Sequence, residues 1–408
     1  MHYATRAGRI QPAATLALSA RASELRRAGA DVVNMGVGEP DFDTPPGIKA
    51  AALRAMHAGQ TRYTPTSGLL QVREAICKKL SEENSLDYAP DEVMVTNGGK
   101  QAIHNAVSAL VEPGDEVIIP APYWVTYADV TRLCDGEPTV VPTSLEQGFR
   151  LTAAQLEDAI NPRTRALFLN SPGNPSGAIY SKDELLGLGE VLRRHPDIWL
   201  ISDDIYEHIT LGSRTMRNML NVCPDLRDRT VIVNGVSKAY AMTGWRIGFA
   251  AAPRHLIRAM DAIQSQTTGS PNAIAQAAAA EAWRGSEGYF APMAQAYRER
   301  HRLMCELLSG IDGLRFAPSD GAFYLFANVE DAIKRLSAQR IIDSPDDSAF
   351  SGHLLNEFSL AVVPGSAFGS PGHVRLSFAA SEEDIHKACG RLRDACAGRP
   401  TPMPRKLD

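Results

Sequence analysis

From residue 70 to residue 251, short unbroken apolar runs alternate with longer helix-like stretches. The runs Glu92–Thr96, Glu116–Ile119, Arg165–Leu169, Ile198–Ser202, Thr230–Val233 and Ile247–Ala251 predict strands with both faces covered. Leu70–Glu83, Lys100–Leu110 and Lys182–Arg194 predict the covering helices. Such alternation reads as an α/β unit around a mostly parallel sheet. Ahead of it come an amphipathic helix, Ala14–Arg27, and a short strand, Val32–Met35. The pattern changes after Arg254. A long helical region, Leu256–Leu308, breaks near Gly269–Pro271 and Gly285–Gly288. Strands Ala322–Phe326, Ala361–Val363 and Val374–Phe378 then mix with helices, as in a smaller α+β domain. The polar run Asp343–Ser348 contains a proline and reads as an exposed loop.

Composition narrows the class without naming a chemistry. A chain of 408 residues exceeds one hydrophobic core, so a large and a small domain are expected. Apolar residues make up 44% and charged residues 22%, ordinary for a soluble protein. No stretch approaches the ~20 apolar residues of a membrane span. The first residues lack the apolar core of a signal peptide, so a cytoplasmic location is expected. A net charge of −5 leaves no basic footprint for nucleic acid. The six cysteines (Cys77, Cys134, Cys223, Cys305, Cys389 and Cys396) form no C-x-x-C pair, and His104, His195, His208 and His373 show no metal spacing. Gly36-x-Gly38 lacks the third glycine of a dinucleotide fingerprint, and there is no Walker loop.

The informative residues follow the predicted strands. In open α/β sheets, ligands bind beyond the carboxyl ends of the strands. Four strands end in unusual polar sequence: Asn97-Gly98-Gly99-Lys100-Gln101, Asn170–Pro175, Asp203-Asp204-Ile205-Tyr206 and Asn234-Gly235-Val236-Ser237-Lys238. Together they match the needs of pyridoxal phosphate (PLP). Its aldehyde needs a lysine, its ring nitrogen a buried carboxylate, its phosphate a helix N-terminus with an arginine, and its ring face an aromatic neighbour. Lys238, Asp203, Gly98-Gly99, Arg246 and Trp124 are candidates in turn.

The run Gly235-Val-Ser-Lys-Ala-Tyr-Ala-Met-Thr-Gly-Trp-Arg-Ile-Gly248 resembles the lysine signature of the class I aminotransferases of fold type I. Val37–Pro45 is similar to that family's opening motif, and Asn170–Gly177 and Asp203–Tyr206 match two more in order. The resemblance runs from about residue 9 to 395, and is nearest to the bacterial aspartate aminotransferase-like subgroup. It implies a large domain, residues 46–285, around a mainly parallel seven-stranded sheet, and a small domain from residues 1–45 and 286–408. By resemblance Lys238 is the Schiff-base lysine and proton carrier, and Asp203 the partner of the pyridinium nitrogen. Tyr206 and Asn174 bond the ring oxygen, and Trp124 stacks on the ring. Gly98, Gly99, Ser237 and Arg246 hold the phosphate. Tyr63 reaches it from a neighbouring subunit, which implies a homodimer with shared active sites.

For the substrate, period-two alternation puts Arg375 and Ser377 on one strand face and Val374, Leu376 and Phe378 on the other. The resemblance makes Arg375 the fork for the α-carboxylate and Gly38 a backbone contact beside it. Lys100 and Thr15 match positions near a distal carboxylate, favouring aspartate or glutamate with 2-oxoglutarate or oxaloacetate as acceptor. Gln11 stands where several relatives, including those acting on prephenate, carry a lysine or arginine, which weakens the case for prephenate and, slightly, for any dicarboxylate. Rival readings are another PLP reaction on the same scaffold, such as an aromatic or alanine-type transaminase, a prephenate transaminase, a β-lyase or a synthase, and a non-catalytic sensor. A sensor is expected to carry an added DNA-binding segment, for which the N-terminus leaves no room, and every catalytic-type residue is retained.

Overall fold

The computed structural model describes residues 4–10, 14–285 and 287–399. A seven-stranded sheet runs, in spatial order, Val93–Thr96, Gly248–Ala251, Thr230–Gly235, Trp199–Asp203, Thr164–Asn170, Glu116–Ala121 and Glu137–Pro142. Gly248–Ala251 is antiparallel to both neighbours, and the other six strands are parallel. A parallel return needs a crossover of a dozen or more residues, usually with a helix. The chain between Gly235 and Gly248 holds only a single-turn helix, Thr243–Trp245, so it folds straight back.

Alternate residues of these strands enter two separate cores. Val93, Val95, Leu167, Leu169, Leu200, Ile232 and Phe249 face helices Leu70–Asn84, Lys182–Arg194 and Ala273–Arg284. Met94, Ala166, Phe168, Ile201, Val231 and Ala250 face helices Gly99–Leu110, Thr126–Leu133 and Arg254–Gln266. Burial on both faces explains why the runs are apolar without a break. Half the residues of the edge strand Glu137–Pro142 are exposed and two are prolines, so no apolar run announces it.

A second, antiparallel sheet orders Val363–Pro364, His373–Ser377, Tyr324–Asn328 and Arg315–Phe316. Leu325, Ala327, Val374, Leu376 and Phe378 enter its core with Ile385 and Leu392 of helix Glu382–Cys396 and Leu308 of helix Glu287–Leu308. Val33–Asn34 pairs in parallel with Leu360–Ala361, joining the N-terminal segment to the C-terminal third. The run expected as a loop at Asp343–Ser348 partly opens a helix. Asp346 caps Asp347–Phe358 by accepting the Ala349 N–H, and the buried Asp347 carboxylate accepts the amides of Ser366 and Gly372. Among the described residues no helix is long and apolar enough to cross a membrane.

Candidate active site

Asp203 closes the central strand, and its position is tied to the strand beside it. Asn170 Nδ2 donates to the Asp203 carbonyl at 2.7 Å, and Asn170 Oδ1 accepts the Asn174 N–H at 2.8 Å. The Asp203 carboxylate accepts the Tyr127 hydroxyl at 2.7 Å and the Ile205 N–H at 3.2 Å. Tyr127 is itself fixed by stacking on Phe168, ring centres 4.4 Å apart. Burial pushes the Asp203 carboxyl up to about 6, while those two donors and Lys238 pull it down. A bound cation at this oxygen pair would pull it down further.

Lys238 donates from Nζ to the Gly38 carbonyl at 2.5 Å. Burial, then the positive charge of Arg375, lowers its amine to about 8, with Glu39 and Asp203 opposing. Arg246, at a positive φ of 56°, lays its guanidinium against Gly98. A Cβ on Gly98, whose φ is 82°, would come within 2.6 Å of Arg246 Nη2, so only glycine leaves this space open. The helix starting at Gly99 points its positive end here, and Lys100 lies in that first turn. Among the described residues no carboxylate forms an ion pair with Arg246 or Lys100. Two cations beside a helix N-terminus are mutually unfavourable until an anion joins them. Gly98's own amide is taken by the Thr96 carbonyl at 2.8 Å, so the anion would meet the amides that follow it. Lys100 Nζ lies 5.2 Å from the Trp124 ring centre, and its pKa is lowered by burial first and then by Arg246.

Arg375 comes from the other sheet, on the face that Tyr324, Phe326 and Ser377 share. Its fork donates to Asn174 Oδ1 at 3.0 Å and to the Gly36 carbonyl at 2.8 Å. The guanidinium lies 4.3 Å from the Tyr324 ring centre and 5.0 Å from that of Phe368. It is buried, and its Nε has no partner. A buried arginine bonded only to neutral acceptors lacks its counter-ion, as a carboxylate-binding group would.

The chain matches the family model for aminotransferase class I and II over residues 30–392. The chain belongs to the class I and II aminotransferases. It is 48% identical over 392 residues to the aspartate/prephenate aminotransferase of Nitrosomonas europaea, covering 96% of this chain and 99% of that one. It is 44% identical to an aspartate aminotransferase of Rhizobium meliloti, with 96% of each chain covered. The crystal structure of the aspartate aminotransferase from Rhizobium meliloti superposes with a TM-score of 0.92 at 43% identity, covering 97% of this chain and 99% of that one. The Thermus thermophilus aspartate aminotransferase with maleate gives 0.90 at 42%, covering 97% and 100%.

As a member of this family the protein is a PLP-dependent aminotransferase. The site fits that cofactor on its own evidence. Asp203 is a buried carboxylate short of a cation, Arg246 with the Gly99 helix is a positive cradle short of an anion, and Lys238 is an amine with a lowered pKa. Most expected residues therefore meet: Asp203, Tyr206, Asn174, Lys238, Arg246, Gly98, Gly99 and Arg375, with Ser237 buried in the lysine loop. Gly38 offers its carbonyl to Lys238, while Gly36 is the glycine that touches Arg375. Tyr63 stands apart, fully exposed in the loop before helix Leu70–Asn84. Thr15 is in helix Ala14–Arg27 but its side chain, like Gln11, lies outside the described residues. Tyr127 and Tyr324 escaped sequence reading. Tyr127 follows Trp124 by three positions in a helical turn, and Tyr324 sits two before Phe326 on the face it shares with Arg375.

Proposed function

We propose that this aminotransferase moves the amino group of aspartate or glutamate to 2-oxoglutarate or oxaloacetate by a ping-pong mechanism, with Lys238 as the working base. The observation that carries the reading is Arg375, a buried guanidinium with an unpartnered Nε facing the same site as Asp203 and Lys238. When bound, PLP supplies an aldehyde for the substrate amine and a ring that withdraws electrons from the substrate α-carbon. Asp203 keeps a proton on the ring nitrogen. Arg375 binds the α-carboxylate through its fork. Its bond to Asn174 Oδ1 leaves the Asn174 amide N–H free for the ring oxygen, beside the Tyr206 hydroxyl. Lys238, neutral in part near pH 7 because of its lowered pKa, would be the base that takes the substrate α-proton and hands it on. Trp124 covers the ring, and Gly98, Gly99, Ser237 and Arg246 hold the phosphate. Lys100, with Thr15, receives the distal carboxylate.

Tyr63 completes this site in a second copy of the chain. Among the described residues, four of the five exposed large apolar side chains (Leu53, Met56, Tyr63 and Leu70) lie in one stretch, which supports a homodimer with shared sites. The same reading divides the chain into residues 46–285 and a smaller unit of 1–45 with 286–408, working in the cytoplasm. Prephenate is a second acceptor to consider, because the Nitrosomonas europaea relative and others carry it in their names. The test is spectral. Adding L-aspartate to PLP-loaded protein is expected to bleach the visible cofactor band, and adding 2-oxoglutarate to restore it. A band that aspartate leaves unchanged would defeat the substrate assignment. A band bleached by aspartate and restored by prephenate would add the second acceptor.

A further inference from the structure

Tyr206 and Tyr324 meet between the two halves of the site, their hydroxyl oxygens 2.9 Å apart. Both are buried, Tyr324 at 0% exposure and Tyr206 at 4%. Each phenol carries one proton, and only one proton can occupy the line between two oxygens. Among the described residues the Tyr324 hydroxyl has Tyr206 as its one hydrogen-bond partner. With the ring oxygen of a bound cofactor as the acceptor for Tyr206, the Tyr324 proton goes to Tyr206, since a buried donor left without an acceptor is costly. The Tyr206 proton is then released to face the other way.

We propose that Tyr324 is a positioning residue for transamination: its hydroxyl donates to Tyr206 and aims the Tyr206 proton at the ring oxygen of the cofactor. This rests on the reading above, in which Tyr206 serves that oxygen. Tyr324 is well fixed for such a task. It lies in register with Ser377, carries the Arg375 guanidinium 4.3 Å over its ring, and meets the Tyr206 ring edge-on at 5.8 Å. A side chain at Gly38 would begin only 3.4 Å from its hydroxyl, so the phenol also borders the segment that holds Lys238. Burial raises both phenols, and the Arg375 cation offsets this at each of them.

A hydroxyl that accepts one hydrogen bond donates a stronger one. Tyr324 thus strengthens the Tyr206 bond, stabilises the ring oxygen as an anion and lowers the pH at which the Lys238-linked cofactor gives up its proton. The test is to load wild type, Tyr324→Phe, Tyr206→Phe and the double variant with PLP and titrate the visible band with pH. Phenylalanine keeps the ring beneath Arg375 and deletes only the hydroxyl. Tyr324→Phe is expected to raise the midpoint by roughly half a pH unit, one ordinary hydrogen bond's worth. Tyr206→Phe is expected to raise it further, and the double variant to match Tyr206→Phe alone. An unmoved midpoint in Tyr324→Phe overturns the proposal while leaving the functional reading intact. So does a second, additive shift in the double variant, because Tyr324 would then act without Tyr206. A wild type with no titrating band, or a Tyr206→Phe midpoint equal to wild type, overturns the role of Tyr206 and this proposal with it.

Discussion

The two sheets furnish their halves of the site in different ways. The seven-stranded sheet delivers Asp203 from the last position of a strand, and Asn174, Lys238 and the Gly98 turn with Arg246 from the loops beyond its strand ends. The four-stranded sheet presents Arg375 and Tyr324 from within its strands, where pairing with a neighbour sets the direction of each side chain. The first half holds its charged groups by hydrogen bonds, as Tyr127 and the Ile205 amide hold Asp203. The second holds its cation against the rings of Tyr324 and Phe368 as well as by hydrogen bonds to Asn174 and the Gly36 carbonyl. The loops beyond strand ends can carry many functional groups because no sheet pairing constrains them. A strand face offers fewer, but fixes a long side chain more firmly.

This contrast predicts different kinds of damage. The largest belongs to the strand-end half: Lys238→Ala should cut turnover at least about a thousandfold, since both the covalent link and the base are gone. Single-turnover kinetics with aspartate check it. Asp203→Ala should follow, leaving the ring nitrogen unpaired at a cost of about 3–5 kcal/mol, read as weaker PLP affinity together with lower kcat. Arg375→Lys breaks the sheet-face half instead. A point charge replaces the fork, so KM should rise by the equivalent of about 2–3 kcal/mol while PLP loads as in wild type. If Arg375→Lys lost PLP as readily as Asp203→Ala, the division between the halves would fall. Lys100→Met should be milder, weakening the binding of a dicarboxylate inhibitor by about 1.5–3 kcal/mol and leaving a monocarboxylate inhibitor untouched.

A smaller effect is visible without cofactor. Lys238 titrates near 8 in the folded chain against an ordinary 10.5, so the unfolded chain binds the extra proton between those values. Stability of the cofactor-free protein should therefore rise with pH across that window. Lys238→Ala should flatten the rise, as thermal unfolding at several pH values would show.

How much of this was legible follows from how local each feature is. Both-face burial wrote six strands of the large sheet as apolar runs. The exposed edge Glu137–Pro142 left no such mark. Lys238, Asp203, Asn174 and Arg246 sit in short motifs after strands, where sequence order and spatial order coincide. Arg375 could be placed on its face by alternation alone. Tyr324 could not be joined to it, because the register Phe326 opposite Arg375 brings together residues distant in sequence. Tyr127 was hidden for a similar reason: its tie to Asp203 spans 76 positions. The antiparallel course of Gly248–Ala251 was also unmarked, since an apolar run carries no direction.

The most direct test of the account is to find the lysine that holds the cofactor. PLP-loaded protein would be reduced with borohydride, digested, and its peptides mapped by mass spectrometry. The account predicts the phosphopyridoxyl adduct on Lys238, with Lys100 and Lys79 unmodified. An adduct confined to another lysine, or none in protein that shows the visible band, would contradict it.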